Sequence, residues 1–172
     1  NFPLTLAIRA VAPALVTGNA VILKPDPQTA VCGGVLIARV FEEAGLPQGL
    51  FHMLPAGADV GEAICTDPHI AMVAFTGSTA AGRKVGALCG AHLKKVSLEL
   101  GGKNSLIVLD DADLDAAASG AAFGAWLHQG QICMATGRIL AHEKIAAELT
   151  ERLKAKSLKL SVGDPAREKV AL

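Results

Sequence analysis

Cys133 and Glu99 have the surroundings that covalent chemistry requires. Cys133 ends the polar, glycine-containing segment 128–133, where substrate and backbone donors can reach a thiol. Glu99 lies near the end of an apolar run, just before Gly101 and Gly102, and open α/β sheets carry their chemistry at strand ends. These residues predict a thiol nucleophile and a carboxylate base, although a glutamate that simply reaches solvent from a strand end also fits the pattern.

The other three cysteines fit a structural role better. Cys32, Cys65 and Cys89 fall within helical patterns among apolar neighbours, so we expect them to be small buried hydrophobes. No Cys-x-x-Cys pair occurs, and no histidine cluster stands near a cysteine at metal-ligand spacing. The sequence therefore predicts neither a metal site nor a disulfide framework.

A glycine-rich segment from Gly77 to Lys84, GSTAAGRK, follows an apolar run and opens a helical pattern. Backbone N–H groups and the positive end of a helix can bind a phosphate there. The spacing approaches that of a P-loop nucleotide hydrolase, but Arg83 and Lys84 replace the lysine and the Ser/Thr that such a loop needs. A G-x-G-x-x-G fingerprint is also absent. This motif alone leaves open both a phosphate site and a tight turn without a ligand.

Short apolar runs alternate with helical patterns, which predicts βα units, a largely parallel sheet and an α/β fold. Strands are expected at 21–23, 50–54, 71–76, 95–100, 105–109 and 138–141. Helices are expected at 29–44, 59–65, 80–89, 113–126 and 143–156. The pattern changes near Gly101 and Gly102, so we predict two domains, 1–101 and 102–172.

Composition excludes several classes of protein. Lys and Arg total 16, as do Asp and Glu, so the formal net charge is zero and nucleic-acid binding is not expected. Hydrophobic residues make up 51% and charged residues 19%, which favours a folded core over disorder. Polar residues and Pro13 interrupt the apolar segment 1–23, so we expect no membrane span and a cytoplasmic protein. Because the chain starts at Asn1 without Met, we also expect a piece of a longer protein.

Five motifs occur in order along the chain. They are Asn-Phe-Pro-Leu from Asn1, Leu-Lys-Pro from Leu23, Phe-Thr-Gly-Ser-Thr from Phe75, Leu-Glu-Leu-Gly-Gly from Leu98 and Gly-Gln-Ile-Cys from Gly130. Through them, essentially the whole chain resembles the aldehyde dehydrogenase superfamily, and it looks most like the benzaldehyde and vanillin type. The resemblance implies a Rossmann-like open sheet, with part of the cofactor domain in 1–101 and the beginning of the catalytic domain in 102–172.

The resemblance implies a role for each candidate catalytic residue. Cys133 would attack the aldehyde carbonyl, and Glu99 would activate the water that hydrolyses the resulting thioester. The side-chain amide of Asn1 and the backbone N–H of Cys133 would hold the oxyanion. Because relatives that release a coenzyme A thioester usually lack the acid matching Glu99, we expect a free carboxylic acid as product.

A nicotinamide cofactor is also implied by the resemblance. Lys24 would bind the adenosine ribose and Ser78 the pyrophosphate, and the full expected set is Lys24, Gly77, Ser78, Gly82 and Leu100. Pro27 stands where many NAD-preferring relatives carry a glutamate that binds the ribose hydroxyls. Asp26 would repel a 2′-phosphate, so the sequence favours NAD, with NADP as the alternative.

Spacing places a candidate pocket for an aromatic aldehyde. If the first segment is helical, Phe2, Leu6 and Arg9 share one face. Ile132 and Met134 flank the nucleophile. We expect these five residues to line the pocket, with Phe2 against the aromatic ring, and ordinary core packing is the alternative.

The expected function is oxidation of an aromatic aldehyde to a carboxylic acid with NAD or NADP, in a homodimer or homotetramer. One alternative is a folded nucleotide-binding module that cannot turn over, because the family's later Glu-x-Phe-Gly-Pro segment and its first cofactor-domain strands are missing. The other alternative is a P-loop nucleotide hydrolase, which Arg83 and Lys84 disfavour.

Overall fold

A computed structural model describes all residues from 1 to 172 and shows an α/β chain. The strands are β1 (Val21–Leu23), β2 (Phe51–Met53), β3 (Met72–Gly77), β4 (Lys95–Leu100), β5 (Asn104–Val108) and β6 (Thr136–Ala141). The α-helices are α1 (Pro3–Val16), α2 (Leu36–Glu43), α3 (Ala58–Thr66), α4 (Thr79–Ala91), α5 (Leu114–Trp126) and α6 (Glu143–Ser157). Every strand expected from the sequence is present, with its ends moved by no more than about two residues, as element ends commonly are.

All three strand pairs are parallel: β1 with β2, β3 with β4, and β5 with β6. A helix lies between the two strands of each pair in the chain, as parallel pairing requires. This arrangement confirms the predicted α/β class with parallel strands. The chain divides into two compact units, residues 1–100 and 101–172. That the first is a cofactor-binding domain and the second the start of a catalytic domain stays a prediction.

The helix expected over residues 29–44 is wrong in its first half. It begins as a 3-10 turn at Pro27–Thr29 and a π-helix at Val31–Val35, and only then becomes α2. Gly33 and Gly34 are buried there, and a Cβ on Gly34 would lie 2.9 Å from the Pro25 side chain. The two glycines favour an α-helix weakly and allow a close approach to the neighbouring chain, so the first turns widen.

The prediction that Cys32 is buried is wrong. Its side chain is exposed, because the π-helix directs Gly33 and Gly34 inward instead. Cys65 on α3 and Cys89 on α4 are buried as expected.

Within the second unit, α5 and α6 pack on the β5–β6 pair. Its core consists of Val108, Ala118, Ile145 and Leu149. The start of α5 is fixed by Asp113, whose carboxylate accepts hydrogen bonds from the N–H groups of Asp115 (2.9 Å) and Ala116 (3.1 Å). This packing supports the strand β6, which follows directly after Cys133 and its turn.

Candidate active site

Cys133 occupies a β-turn that leaves its side chain exposed. The turn is closed by the N–H of Ala135, which donates to the carbonyl of Ile132 over 3.0 Å. Three successive residues before it adopt the left-handed conformation: His128, Gln129 and Gly130, with φ of 53°, 56° and 69°. Such a run is sparsely populated for residues with a side chain, and it is found where a loop must be presented in one defined way. The structure therefore offers the Cys133 thiol to solvent from a specifically shaped loop.

Glu99 lies on β4, one residue before the end of the strand, and pairs in register with Thr76 of β3. Its carboxylate is about half exposed and lies 3.7 Å from the guanidinium of Arg9 on α1. The sequence placed Arg9 in a substrate pocket and did not foresee this ion pair. The ion pair holds the Glu99 carboxylate beside α1 while leaving it accessible to water.

The predicted helical face that begins at Phe2 needs correction. Phe2 precedes α1 and has φ of 43° and ψ of 52°, so only Leu6 and Arg9 belong to the helix. Pro3 occupies the first helical position, and a residue before proline is disfavoured in the right-handed helical region. The carbonyl of Phe2 still accepts the first helical hydrogen bond, from Leu6 N–H at 2.9 Å. Asn1 and Phe2 are both exposed beside the helix start.

The remaining pocket candidates differ in exposure. Leu6 and Ile132 are half-buried, whereas Met134 is 77% exposed. Ile132 and Met134 belong to the same turn as Cys133, so both flank the thiol as the sequence indicated. That the five residues line one pocket stays a prediction.

Four of the five cofactor candidates meet at the carboxyl ends of β3 and β4. Gly77 pairs in register with Leu100, and Ser78 follows as the N-cap of α4. The Ser78 hydroxyl accepts a hydrogen bond from Ala81 N–H at 3.2 Å, and the Gly82 N–H donates to the Ser78 carbonyl at 2.8 Å. The carboxyl end of a parallel pair, followed by a helix N-terminus, is where open α/β folds bind nucleotides.

Gly82 and Leu100 also have a packing role. Gly82 is buried, and a Cβ at this position would overlap the side chain of Leu100. The absent side chain lets α4 approach β4 closely at the first helical turn. This contact explains the glycine without a ligand, and it also keeps the surface at the helix start free of side-chain bulk.

Lys24 follows β1 and is partly buried. Its ammonium group donates to the carbonyls of Ala56 (3.0 Å) and Pro25 (3.1 Å). An ammonium has three N–H donors, so one remains for a ligand hydroxyl. These hydrogen bonds hold the charge in one place beyond the end of the strand.

The sequence pattern that defines the aldehyde dehydrogenase family matches residues 1–172, the whole chain. This chain belongs to the aldehyde dehydrogenase family. The resemblance inferred from the five motifs is thereby confirmed.

Curated relatives of this aldehyde dehydrogenase chain include enzymes for aromatic aldehydes. It is 61% identical to a vanillin dehydrogenase of an Amycolatopsis species, over 100% of the chain and 35% of the relative. It is 58% identical to a benzaldehyde dehydrogenase [NAD(+)] of Pseudomonas putida, again over 100% of the chain and 35% of the relative. The chain thus spans about a third of the length of these relatives.

Solved structures give the same picture. An NAD-dependent benzaldehyde dehydrogenase of Corynebacterium glutamicum superposes with a TM-score of 0.87 at 48% sequence identity, over 95% of this chain and 36% of that one. At this identity and similarity of fold, the backbone of the aldehyde dehydrogenase chain follows that of a crystallised relative.

Two contacts of the candidate active site were not predicted from the sequence of this family member. One is the Arg9–Glu99 ion pair, and the other joins the Asn104 side chain to the carbonyls of Cys133 and Ala135. Both connect residues far apart in the chain, so no local sequence pattern indicates them.

No helix in the structure is long and apolar enough to cross a membrane, and no group of three or more potential ligand side chains is placed to hold a metal ion.

Proposed function

We propose that the protein containing this chain oxidises an aromatic aldehyde to its carboxylic acid with NAD, and that Cys133 is the nucleophile. The observation that carries the proposal is the exposed Cys133 thiol on its turn, in a chain that belongs to the aldehyde dehydrogenase family throughout. Strong identity to vanillin and benzaldehyde dehydrogenases supports the aromatic substrate class. We further expect a homo-oligomer.

In this mechanism Cys133 and Asn1 act on the aldehyde carbonyl. The Cys133 Sγ forms a bond to the carbonyl carbon, and the oxygen becomes an oxyanion of a thiohemiacetal. The side-chain amide of Asn1 and the backbone N–H of Cys133 donate hydrogen bonds to that oxygen. Oxidation of the thiohemiacetal leaves a thioester on Cys133.

Glu99 acts in the second half of the reaction. Its carboxylate takes a proton from water, whose oxygen attacks the thioester carbon, and the Cys133 thiolate leaves as the acid is released. The half-exposed position of Glu99 leaves it open to water, and the ion pair with Arg9 holds its carboxylate beside α1. A carboxylate at this position therefore supports hydrolysis over transfer to another thiol.

The donor set of the first unit fits a dinucleotide. The N-terminus of α4 at Ser78, beside Gly77, offers N–H groups and a positive dipole end to a pyrophosphate. Lys24 keeps one donor for a ribose hydroxyl. When bound, the cofactor supplies the acceptor for the hydride that the thiohemiacetal loses.

NAD is favoured over NADP by the segment after Lys24. Asp26 is exposed, and its carboxylate accepts a hydrogen bond from Gln28 N–H at 2.9 Å, which holds the negative charge in this loop. A 2′-phosphate brought near it would be repelled. Pro27 offers no side-chain acceptor for the ribose hydroxyls, so the preference rests on Asp26 alone.

The substrate pocket is assigned to Phe2, Leu6, Arg9, Ile132 and Met134. Phe2 offers a ring for an aromatic substrate, and Ile132 and Met134 lie on the turn that carries the thiol. The substrate class is tested by comparing benzaldehyde with an aliphatic aldehyde of similar size.

The deciding experiment measures reduced-nicotinamide formation by the protein expressed from its complete reading frame. Benzaldehyde is the substrate, with NAD or NADP, in wild type and in Cys133→Ala, Glu99→Gln and Cys32→Ala. We expect Cys133→Ala to lose all turnover. We expect Glu99→Gln to retain the first hydride transfer as a burst while steady turnover falls by about 100-fold, in the range usual for loss of a general base.

Cys32→Ala is the matched control, because Cys32 is the other exposed cysteine and takes no part in the proposed chemistry. It should keep wild-type rates. Turnover that survives in Cys133→Ala would exclude Cys133 as the nucleophile. Absence of turnover with every aldehyde and either cofactor would instead favour a nucleotide-binding module without catalytic activity.

A further inference from the structure

Asn104, at the start of β5, joins the turn that carries the candidate nucleophile. Its side-chain Nδ2 donates to the carbonyl oxygen of Cys133 over 2.8 Å and to that of Ala135 over 3.2 Å. We propose that Asn104 is a positioning residue for Cys133, holding the turn in the conformation that presents the thiol and the backbone N–H. The inference rests on the proposed role of Cys133.

A bulge in the β5–β6 pair places Asn104 within reach of this turn. Asn104 pairs with Thr136 while the next residue, Ser105, pairs with Arg138, so Gly137 is the extra residue on β6. Bulges commonly re-aim a side chain next to a functional site. The ladder thus ends where the turn begins, and the Asn104 side chain contacts the turn.

Asn104 supplies hydrogen-bond donors to two carbonyls of the turn, those of Cys133 and Ala135. Within the turn, the Ala135 N–H donates to the carbonyl of Ile132. An amide NH2 has two hydrogens, so it can satisfy both the Cys133 and the Ala135 carbonyl at once. Holding the Cys133 carbonyl restricts the ψ angle of that residue. With the Ala135 carbonyl held as well, the backbone that carries the thiol is anchored to β5, and such an anchored position favours attack and oxyanion binding.

The position of Asn104 allows a role in positioning Cys133 to be distinguished from a role in folding. Its side chain is exposed, so its hydrogen bonds compete with water and contribute little to stability. The residues proposed to bind the cofactor all belong to the first unit, whereas Asn104 and Cys133 belong to the second. Loss of the Asn104 amide is therefore expected to affect the chemical step and to spare cofactor binding.

The test compares Asn104→Ala, Asn104→Asp and Ser105→Ala in the protein expressed from its complete reading frame. Asp keeps the shape of Asn but is ionised at neutral pH and cannot donate to the two carbonyls. Ser105 is the exposed neighbour on the same strand and serves as the control. Four quantities are measured: kcat/KM for benzaldehyde, Kd for NAD, Tm and amide hydrogen exchange at Ala135.

Both Asn104 variants should lower kcat/KM by about tenfold or more, the effect expected when a reacting group loses its fixed orientation. Exchange at the Ala135 N–H should become faster, while Kd for NAD and Tm stay at wild-type values. Ser105→Ala should match wild type throughout. The conservative Asn104→Asp variant should not rescue activity, because it restores the shape and not the donors.

Two results would overturn the positioning role of Asn104. Wild-type kcat/KM in either Asn104 variant would overturn the positioning role, even if exchange at Ala135 changed. Equal losses in Tm and in NAD affinity would show a general structural role and would also overturn it. If wild type oxidised no aldehyde, the proposed function would fail. Exchange at Ala135 would still show whether Asn104 holds the turn.

Discussion

The four cysteines of this chain occupy two different environments. Cys32 and Cys133 are exposed, whereas Cys65 and Cys89 are buried, at 2% and 0% exposure. Burial raises the pKa of the Cys65 thiol, and the neighbouring Cys89 raises it further. Because the thiolate is the reactive form, burial and the raised pKa both make Cys65 unreactive.

Thiol labelling therefore provides a prediction at the scale of single residues. With a disulfide reagent at pH 8, the native protein should show rapid reaction of Cys32 and Cys133, and Cys65 and Cys89 should react only after denaturation. Mass spectrometry of the labelled peptides identifies each site. Cys32→Ala and Cys133→Ala should each remove one rapidly labelled peptide. Rapid labelling of Cys65 in the native protein would contradict the buried arrangement of α3 and α4.

The candidate site was only partly predictable at the residue scale. Cys133 and Glu99 stand out because their neighbours are unusual for a core cysteine and a surface glutamate. The contacts of Arg9 with Glu99 and of Asn104 with Cys133 were not predictable, because each joins segments that only the folded chain brings together. The sequence predicts Arg9 as a pocket residue, and only the folded chain shows its guanidinium 3.7 Å from the Glu99 carboxylate.

At the scale of elements, strands were easier to predict than helices rich in glycine. β1 and β4 have the expected bounds, because the three apolar residues of β1 and the alternation of polar and apolar residues in β4 are both typical of strands. The helix that precedes β2 was predicted as regular. Apolar spacing reports which face is buried, but it does not report the close approach that widens the π-helix 31–35.

Replacing either of two glycines in the second unit by alanine is expected to change the stability in opposite directions. Gly130 has φ of +69°, and a Cβ there would lie 2.8 Å from the Ala125 carbonyl oxygen. Gly120 lies inside α5 with nothing within 4 Å of a Cβ. Gly130→Ala should therefore destabilise by about 1–2 kcal/mol from the left-handed backbone, with the clash added. Gly120→Ala should stabilise by about 0.5–1 kcal/mol, since alanine favours the helix.

Thermal unfolding of the two alanine variants checks this contrast. Gly130→Ala should lower Tm, and Gly120→Ala should raise it slightly. The pair is matched, because both variants add one methyl group to the same unit. A higher Tm for Gly130→Ala would show that the loop before Cys133 does not need its left-handed turn.

At the scale of the whole molecule, a large share of the apolar residues lies on the surface. Large hydrophobic side chains are strongly exposed in both units, as for Val16 (87%), Leu93 (95%), Phe123 (66%) and Leu158 (78%). Composition correctly indicated a folded chain, since 51% of the residues are hydrophobic. It could not show that so many of them would remain in contact with water.

These exposed side chains predict that the 172-residue chain, expressed alone, associates with itself. Apolar surface that stays hydrated favours association, and a formal net charge of zero provides no repulsion between copies. Light scattering coupled to size exclusion should show a mass that rises with concentration across the range of about 1–100 µM, where exposed apolar surface typically drives aggregation. Binding of a hydrophobic dye should accompany it, and replacing Val16 and Leu158 by Lys should reduce both signals. A single 17.6 kDa species at every concentration, without dye binding, would show that this apolar surface does not drive association.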